Sequence, residues 1–386
     1  MAISIVALLF AAGTSILSYD NARTADLAPR FHWPDETTNH FFTSRVARNE
    51  PLAVSEPRNI PAGNVIHPRT ANVRADGAIV PGSYLGLPLW YGLIGRMFGE
   101  RAMLFVTPFL AALGLLAFAS IARRLAGATV AMTATVILAL HPALWLFTAT
   151  ALLPNVPFVT LLMVAIAVLL HAPRGWSIII AGLFVGLALT IRTHELLWVF
   201  AIIGTLAWKL RFGLRQLLVL AIGIAIPFIP ILILNAQLYG SPFTTGYALL
   251  QDGGAAPTEF AASRFPDWIA AFVAPFGWHP IDAFARFWQY MVVPYWWFIA
   301  LAVVGMGVVY TRRNSTPPSP PSQREVGKQK SISPLPRGRG SERGWAIATL
   351  ALIAWLVLYY GSWTIADPLV RETNVLTISY VRYWIP

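Results

Sequence analysis

Acid–base chemistry has few places to happen in this chain. Only 17 of its 386 residues are Asp or Glu, and two of these are neighbours, Asp35 and Glu36. They open the stretch Pro34-Asp35-Glu36-Thr37-Thr38-Asn39-His40, just beyond the first long apolar run. A carboxylate so placed can take the proton of an attacking hydroxyl. Pro34 breaks any helix before it, and Asp35 is expected to cap the helix that follows. From there Asn39, Phe42, Val46 and Asn49 fall at helical spacing. On a purely structural reading the two acids cap that helix and favour its positive end.

Three further stretches carry polar groups next to apolar runs. Thr190-Ile191-Arg192-Thr193-His194-Glu195 forms a tight turn. Ionisable clusters at a membrane edge are costly and often functional. The planar fork of Arg192 suits phosphate because it binds two oxygens at once. Equally, Arg192 snorkels to headgroups or pairs with Glu195. In the stretch from His141-Pro142 to Pro154-Asn155, the prolines end or kink helices and Asn155 stands at a helix start. Spacing alone makes Asn155 a helix cap. Past residue 234, Gly240 and Pro242 force a turn between Tyr239 and Tyr247. Those aromatics and the hydroxyls beside them suit a sugar or headgroup pocket, or an interfacial aromatic belt. The absence of cysteine excludes disulfides, zinc–thiolate sites and Cys nucleophiles.

The elements that must position these residues are apolar helices. The chain is 56% hydrophobic and only 12% charged, about half the charge of a soluble domain. Nine runs approach membrane-spanning length: 1–19, 102–121, 127–146, 155–171, 176–191, 194–208, 216–234, 291–310 and 345–363. The run at 84–95 is too short to span and reads as interfacial or re-entrant. The first run lacks a basic start and a clean cleavage site, so it reads as an uncleaved anchor.

Charge gives the orientation. Arg123, Arg124, Arg174, Lys209, Arg211 and Arg215 lie in alternate short connections, which the positive-inside rule assigns to the cytoplasm. The N-terminus is then inside. The cytoplasmic side carries 14 of the 28 basic residues and two acids, Glu325 and Glu342. The outer side is nearly neutral and holds the other acids. The net charge of +11 thus reports topology and lipid contact and does not call for a nucleic-acid partner.

The expected fold is an all-α integral membrane protein of about nine spans. Residues 1–310 form its core, with outer loops 20–101 and 235–290 that contain interfacial helices. Residues 311–344 read as a disordered basic linker, and 345–386 as a last span with an outer tail. The tail ends Tyr380-Val381-Arg382-Tyr383-Trp384-Ile385-Pro386, which reads as the entry to a further helix, as in a chain truncated at its C-terminus.

Four local patterns carry a resemblance: PDETTNHFFTSRVARNEPL, LFTATALLPNVPFVTLLMVAIA, GLALTIRTHELL and NAQLYGSPFTTGY, with YVRYWIP at the end. Together they resemble C-type membrane glycosyltransferases, and within them the bacterial branch of the protein mannosyltransferase and aminoarabinose transferase superfamily. The resemblance implies sugar transfer from a polyprenyl-phosphate donor to a lipid, glycan or protein acceptor, outside a bacterial inner membrane. It makes Asp35 the base, or the group that orients the acceptor, and Glu36 its partner acid. It sets Arg192 against the lipid phosphate. His194, His40, Asn155, Tyr239, Tyr247 and Arg382 are the further candidates for substrate binding. Many relatives carry an acid where this chain has Asn155, so a divalent metal finds no support there, and no other cofactor is implied. Two other classes compete. A transporter of lipid-linked cargo would hold ionisable groups at the bilayer midplane. A non-catalytic or degenerate assembly subunit would fit Asn155 and the abrupt end.

Overall fold

The first 22 helical residues, Ala2–Arg23 (α1), contain no Asp, Glu, Lys or Arg before Asp20. Such a segment satisfies its backbone internally and leaves apolar side chains on its surface. Leu8, Leu9, Ile16 and Leu17 of α1 are exposed. The computed structural model describes residues 1–23, 31, 33–247, 278–297, 300, 303–305 and 351–362. The chain divides into two units, one of Met1–Ala256 with Ile385–Pro386 and one of Pro257–Trp384.

The described part of the first unit is mostly helical. After α1 come α2 (Pro34–Ala47), α3 (Gly86–Phe98), α4 (Met103–Ala126), α5 (Ala128–Ala139), α6 (Pro142–Ala149), α7 (Asn155–His171), α8 (Trp176–Ile191), α9 (Leu196–Lys209) and α10 (Leu214–Tyr239). Among the described residues three segments, Ala2–Ala22, Glu100–Ala126 and Leu214–Tyr239, are long and apolar enough to cross a membrane. Helices α5 and α6 make a fourth if counted together, bent by 58° at their junction. The chain is therefore a helical protein with the marks of a membrane protein. Helices α7 and α8 are apolar but shorter, with 17 and 16 residues.

The first seven apolar runs correspond to helices, with two differences. The run at 127–146 is broken. Pro142 stands at the first position of α6, and the indole Nε1 of Trp145 donates to the Ala139 carbonyl at 2.6 Å, covering the exposed end of α5. The long connection after α1 is not purely helical either. It contains two strands, β1 (Ala71–Val73) and β2 (Ile79–Pro81), paired antiparallel with Ala71 opposite Pro81. Gly77 makes the turn between them at φ +80, a conformation that suits glycine. The run at 84–95 is the amphipathic helix α3.

Proline and glycine shape the packing. Pro108 in α4 has no N–H for the Leu104 carbonyl one turn back. Ser18 of α1 supplies the missing donor, Oγ to Leu104 O at 2.7 Å. Helices α8 and α10 meet along Gly182, Gly186 and Gly223. A Cβ on Gly182 would lie 2.5 Å from the Leu220 carbonyl oxygen, and one on Gly223 would lie 2.5 Å from that of Ile179. Small residues at this spacing let two apolar helices touch backbone to backbone. Helix α10 ends at Gly240, left-handed at φ +79.

Several contacts gather the same ends of these helices. Ser18–Leu104 joins the end of α1 to the start of α4. The Thr107 hydroxyl donates to the Ala151 carbonyl and bonds the Tyr91 hydroxyl, so the turn after α6 and helix α3 meet α4 there. The opposite ends of α4 and α7 meet at Ser120 and His171, 3.3 Å apart. The hairpin packs on the first end through a core of Phe42, Leu52, Val80, Leu85, Ile231 and Leu238.

The second unit contains α11 (Pro280–Phe287), which runs into a π-helical turn at Trp288–Val292. It also contains the helix Ala351–Gly361 (α12). Arg286 Nη1 donates to Gly361 O at 2.7 Å, and His279 N–H to Ser362 Oγ at 3.0 Å. The linker 311–344, the tail 363–386 and part of the loop 235–290 lie outside the described residues.

Candidate functional site

Helix α2 begins two residues earlier than a cap at Asp35 predicts. Trp33 is the N-cap and Pro34 the first helical residue, so Asp35 does not cap the helix. Proline favours that first position because its missing N–H needs no partner there. Asp35 then lies half-buried on the first turn. Glu36 is the third residue of the helix, and its carboxyl accepts the N–H of Trp33. This is the return half of a capping box.

The same carboxyl reaches further. Glu36 is 3% exposed and also accepts the N–H of Leu152, in the turn after α6. One turn along α2, Asn39 Nδ2 donates to the carbonyl of the same Leu152 at 2.8 Å. Asn39 Oδ1 accepts from Ser83 Oγ at 3.3 Å. Burial pushes the Glu36 carboxyl up to about 8, against the two backbone N–H groups that favour its charge. At neutral pH it is mostly the neutral acid.

The turn at 190–195 is equally well buried. Arg192 is 2% exposed and Glu195 0%, so Arg192 does not snorkel. Its Nη2 lies 2.7 Å from Glu195 Oε1, and His194 Nε2 is 2.9 Å from the same oxygen. The Trp198 indole donates to the other carboxylate oxygen. The guanidinium lies 5.7 Å from the Phe158 ring, one turn into α7 from the buried Asn155. Asn155 is the first helical residue, and Pro154 is the cap. The other His194 nitrogen, Nδ1, is 3.1 Å from the Tyr84 hydroxyl. Nε2 also lies 3.1 Å from Arg192 Nη2, so the imidazole tautomer sets which of Nδ1 and the Tyr84 hydroxyl donates. The Arg192–Glu195 pair is electrically neutral, so it would draw a phosphate by oriented donors, with little net charge to help.

The stretch from β2 to the start of α3 joins these parts. Ser83 meets Asn39 of α2. The Tyr84 ring stacks on His194 with centroids 5.4 Å apart and leans on Tyr247 at 4.8 Å. A Cβ on Gly86 would sit 2.3 Å from the Thr190 carbonyl carbon, so glycine is required for α3 to approach α8. Trp90 Nε1 donates to Thr190 Oγ1 at 2.9 Å. Tyr239 O–H donates to Pro81 O at 2.7 Å, and Asn72 Nδ2 to Gly246 O at 2.7 Å.

Three of the four sequence patterns thus meet residues 79–86, and the second is joined to them through Leu152 and Asn39. Glu36, Arg192, His194, Tyr239 and Tyr247 enter this network, with Asp35 beside Glu36, and Asn155 is buried at the start of α7. His40 points elsewhere. Its ring lies 4.9 Å from Phe31, and burial lowers its pKa against the pull of Glu100. Arg382 lies outside the described residues. Sequence reading missed Asn39, Ser83, Tyr84 and Trp90 as parts of the site. Pro81-Gly82-Ser83 marks a turn, but nothing local says that its next residue meets a histidine 110 positions away. Among the described residues no group of three or more His, Asp or Glu could hold a metal ion. No protein-family model, curated protein or solved structure matches this chain.

Proposed function

We propose that this chain transfers a sugar from a polyprenyl-phosphate donor to an acceptor hydroxyl at the outer face of a bacterial inner membrane. The observation that carries the reading is the meeting of a half-buried carboxylate turn, a buried arginine turn and two tyrosines around residues 79–86. In this reading the chain has about nine spans, its N-terminus is cytoplasmic, and the basic short connections face the cytoplasm. The end of the bundle that holds Asp35 then faces outward.

The chemistry asks little of the protein. The acceptor oxygen attacks the anomeric carbon, and the bond from that carbon to the phosphate oxygen breaks with its electron pair on the phosphate. Asp35 takes the acceptor proton. Arg192, its fork oriented by Glu195, stabilises charge on the departing phosphate. A single displacement inverts the anomeric centre. The lipid carrier remains in the membrane, which suits a site at the end of apolar helices.

The test is transfer of radiolabelled sugar from a panel of polyprenyl-phosphate donors to membrane extracts. Asp35→Ala should abolish transfer while expression and insertion persist. Full activity in that variant removes Asp35 as the base. One observation favours a second reading, a non-catalytic membrane assembly subunit: Arg192 is already neutralised by Glu195 in a buried pair. Donor binding with no transfer to any acceptor in the same panel would favour it.

A further inference from the structure

Glu36 and Asn39 lie one helical turn apart on α2, and both hold the same residue of another segment. The Glu36 carboxyl accepts the N–H of Leu152, and the Asn39 amide donates to the Leu152 carbonyl at 2.8 Å. Both backbone groups of one buried residue are thus bonded to two buried side chains of one helix. Leu152 itself is 0% exposed. Its turn lies between α6 and α7, so its backbone groups find no helical ladder, and water does not reach them. Unsatisfied, each would carry a full desolvation penalty. We infer that Glu36 is a positioning residue and not a second catalytic carboxylate: with Asn39 it grips Leu152 and seats the 150–155 turn against the start of α2.

Several features agree. The remaining Glu36 contact goes to Trp33, its own N-cap, so the side chain is tied at both ends to backbone. A buried acid held neutral is poorly suited to taking a proton from a hydroxyl, but it accepts hydrogen bonds well. Asn39 extends the grip through Ser83 to the loop that carries Tyr84. Asp35 is the residue before Glu36. The grip therefore sets where Asp35 stands relative to Asn155 and Phe158 beyond the turn. This use of the grip rests on the transferase reading above, whereas the grip itself does not.

The test uses the full chain, which has no cysteine of its own. Thr150, 5% exposed in the turn, is replaced by Cys, and its labelling by a maleimide is timed in detergent. A second reporter, Thr135→Cys in α5, where the threonine is 0% exposed, checks that the bundle stays folded. In the Thr150→Cys background, Glu36→Ala and Asn39→Ala should each speed labelling at least about tenfold, the factor that loss of one buried hydrogen bond gives a local opening equilibrium. Glu36→Gln, which copies the neutral acid, should stay within about threefold of the parent, and labelling at position 135 should be unchanged throughout. Transfer is measured in parallel, where Glu36→Gln should retain most activity and Glu36→Ala should lose it.

Protection of Cys at position 150 in both alanine variants overturns the inference. So does a Glu36→Gln variant that keeps the turn protected yet is as inactive as Asp35→Ala, because Glu36 would then act chemically. If one alanine variant fails to fold, the other decides. If the parent transfers no sugar, the transferase reading falls and the labelling rates still decide the grip.

Discussion

Titrating Glu36 should make the protein less stable as pH rises through neutrality. Its carboxyl is pushed from 4.5 to about 8 by burial. At about 1.4 kcal/mol per pH unit, this separates the protonated and ionised folded forms by roughly 5 kcal/mol. Local opening that admits water would lower that figure. The folded state holds the proton more tightly than the unfolded chain, so the protonated acid stabilises the fold. That stabilisation is complete below about pH 4.5 and falls away as pH rises to about 8. Between pH 6 and 8 the loss should amount to roughly 2–3 kcal/mol. His40 acts in the opposite sense. Its folded pKa is lowered by burial, so it adds stability as pH rises towards 6.5. The difference between the parent and Glu36→Gln removes this shared contribution. The assay is unfolding of the detergent-solubilised chain, followed by heat or denaturant at pH 6, 7, 8 and 9. The parent should lose stability relative to Glu36→Gln up to pH 8, and the gap should then level off. Parallel curves, or a parent that gains on the variant with pH, would refute a buried neutral acid at this position.

Two further outcomes test the packing around the site. Glu195→Ala leaves the Arg192 guanidinium buried without its carboxylate and should destabilise the chain by about 3–5 kcal/mol. The double variant Glu195→Ala with Arg192→Leu should recover most of that loss, as unfolding midpoints will show. Gly223→Val places a Cβ 2.5 Å from the Ile179 carbonyl oxygen, and should cost about 1–3 kcal/mol through forced separation of α8 and α10. An unchanged midpoint in that variant would mean the two helices do not meet at Gly223.

Much of the helical scaffold was legible in the residues. Long apolar runs with prolines at their ends have few alternatives to helices, since backbone groups in an apolar surround must bond within their own segment. The runs that became α1, α4, α7, α8, α9 and α10 show this. The hairpin at 71–81 was not legible. Its strands are three residues each, too short for an alternating pattern to stand out. Asp35 was misread as a cap because capping preference competes with the preference of Pro34 for the first helical position.

What the sequence determined by itself was chemical type and place along the chain: a pair of acids after the first run, an Arg-His-Glu turn between two others, and charge on alternate connections. What only the tertiary structure decided was which of these groups meet, and in what state. Glu36 and Asp35 are neighbours of the same type, yet burial makes Glu36 a neutral acid bonded to Leu152, 116 residues further on. Arg192 could snorkel or pair, and the depth of its turn against Phe158 and Trp198 pairs it with Glu195. Tyr84 had no mark at all until the loop after β2 brought it to His194. Desolvation and long-range hydrogen bonding depend on what surrounds a group, and that is set by residues far away in the chain.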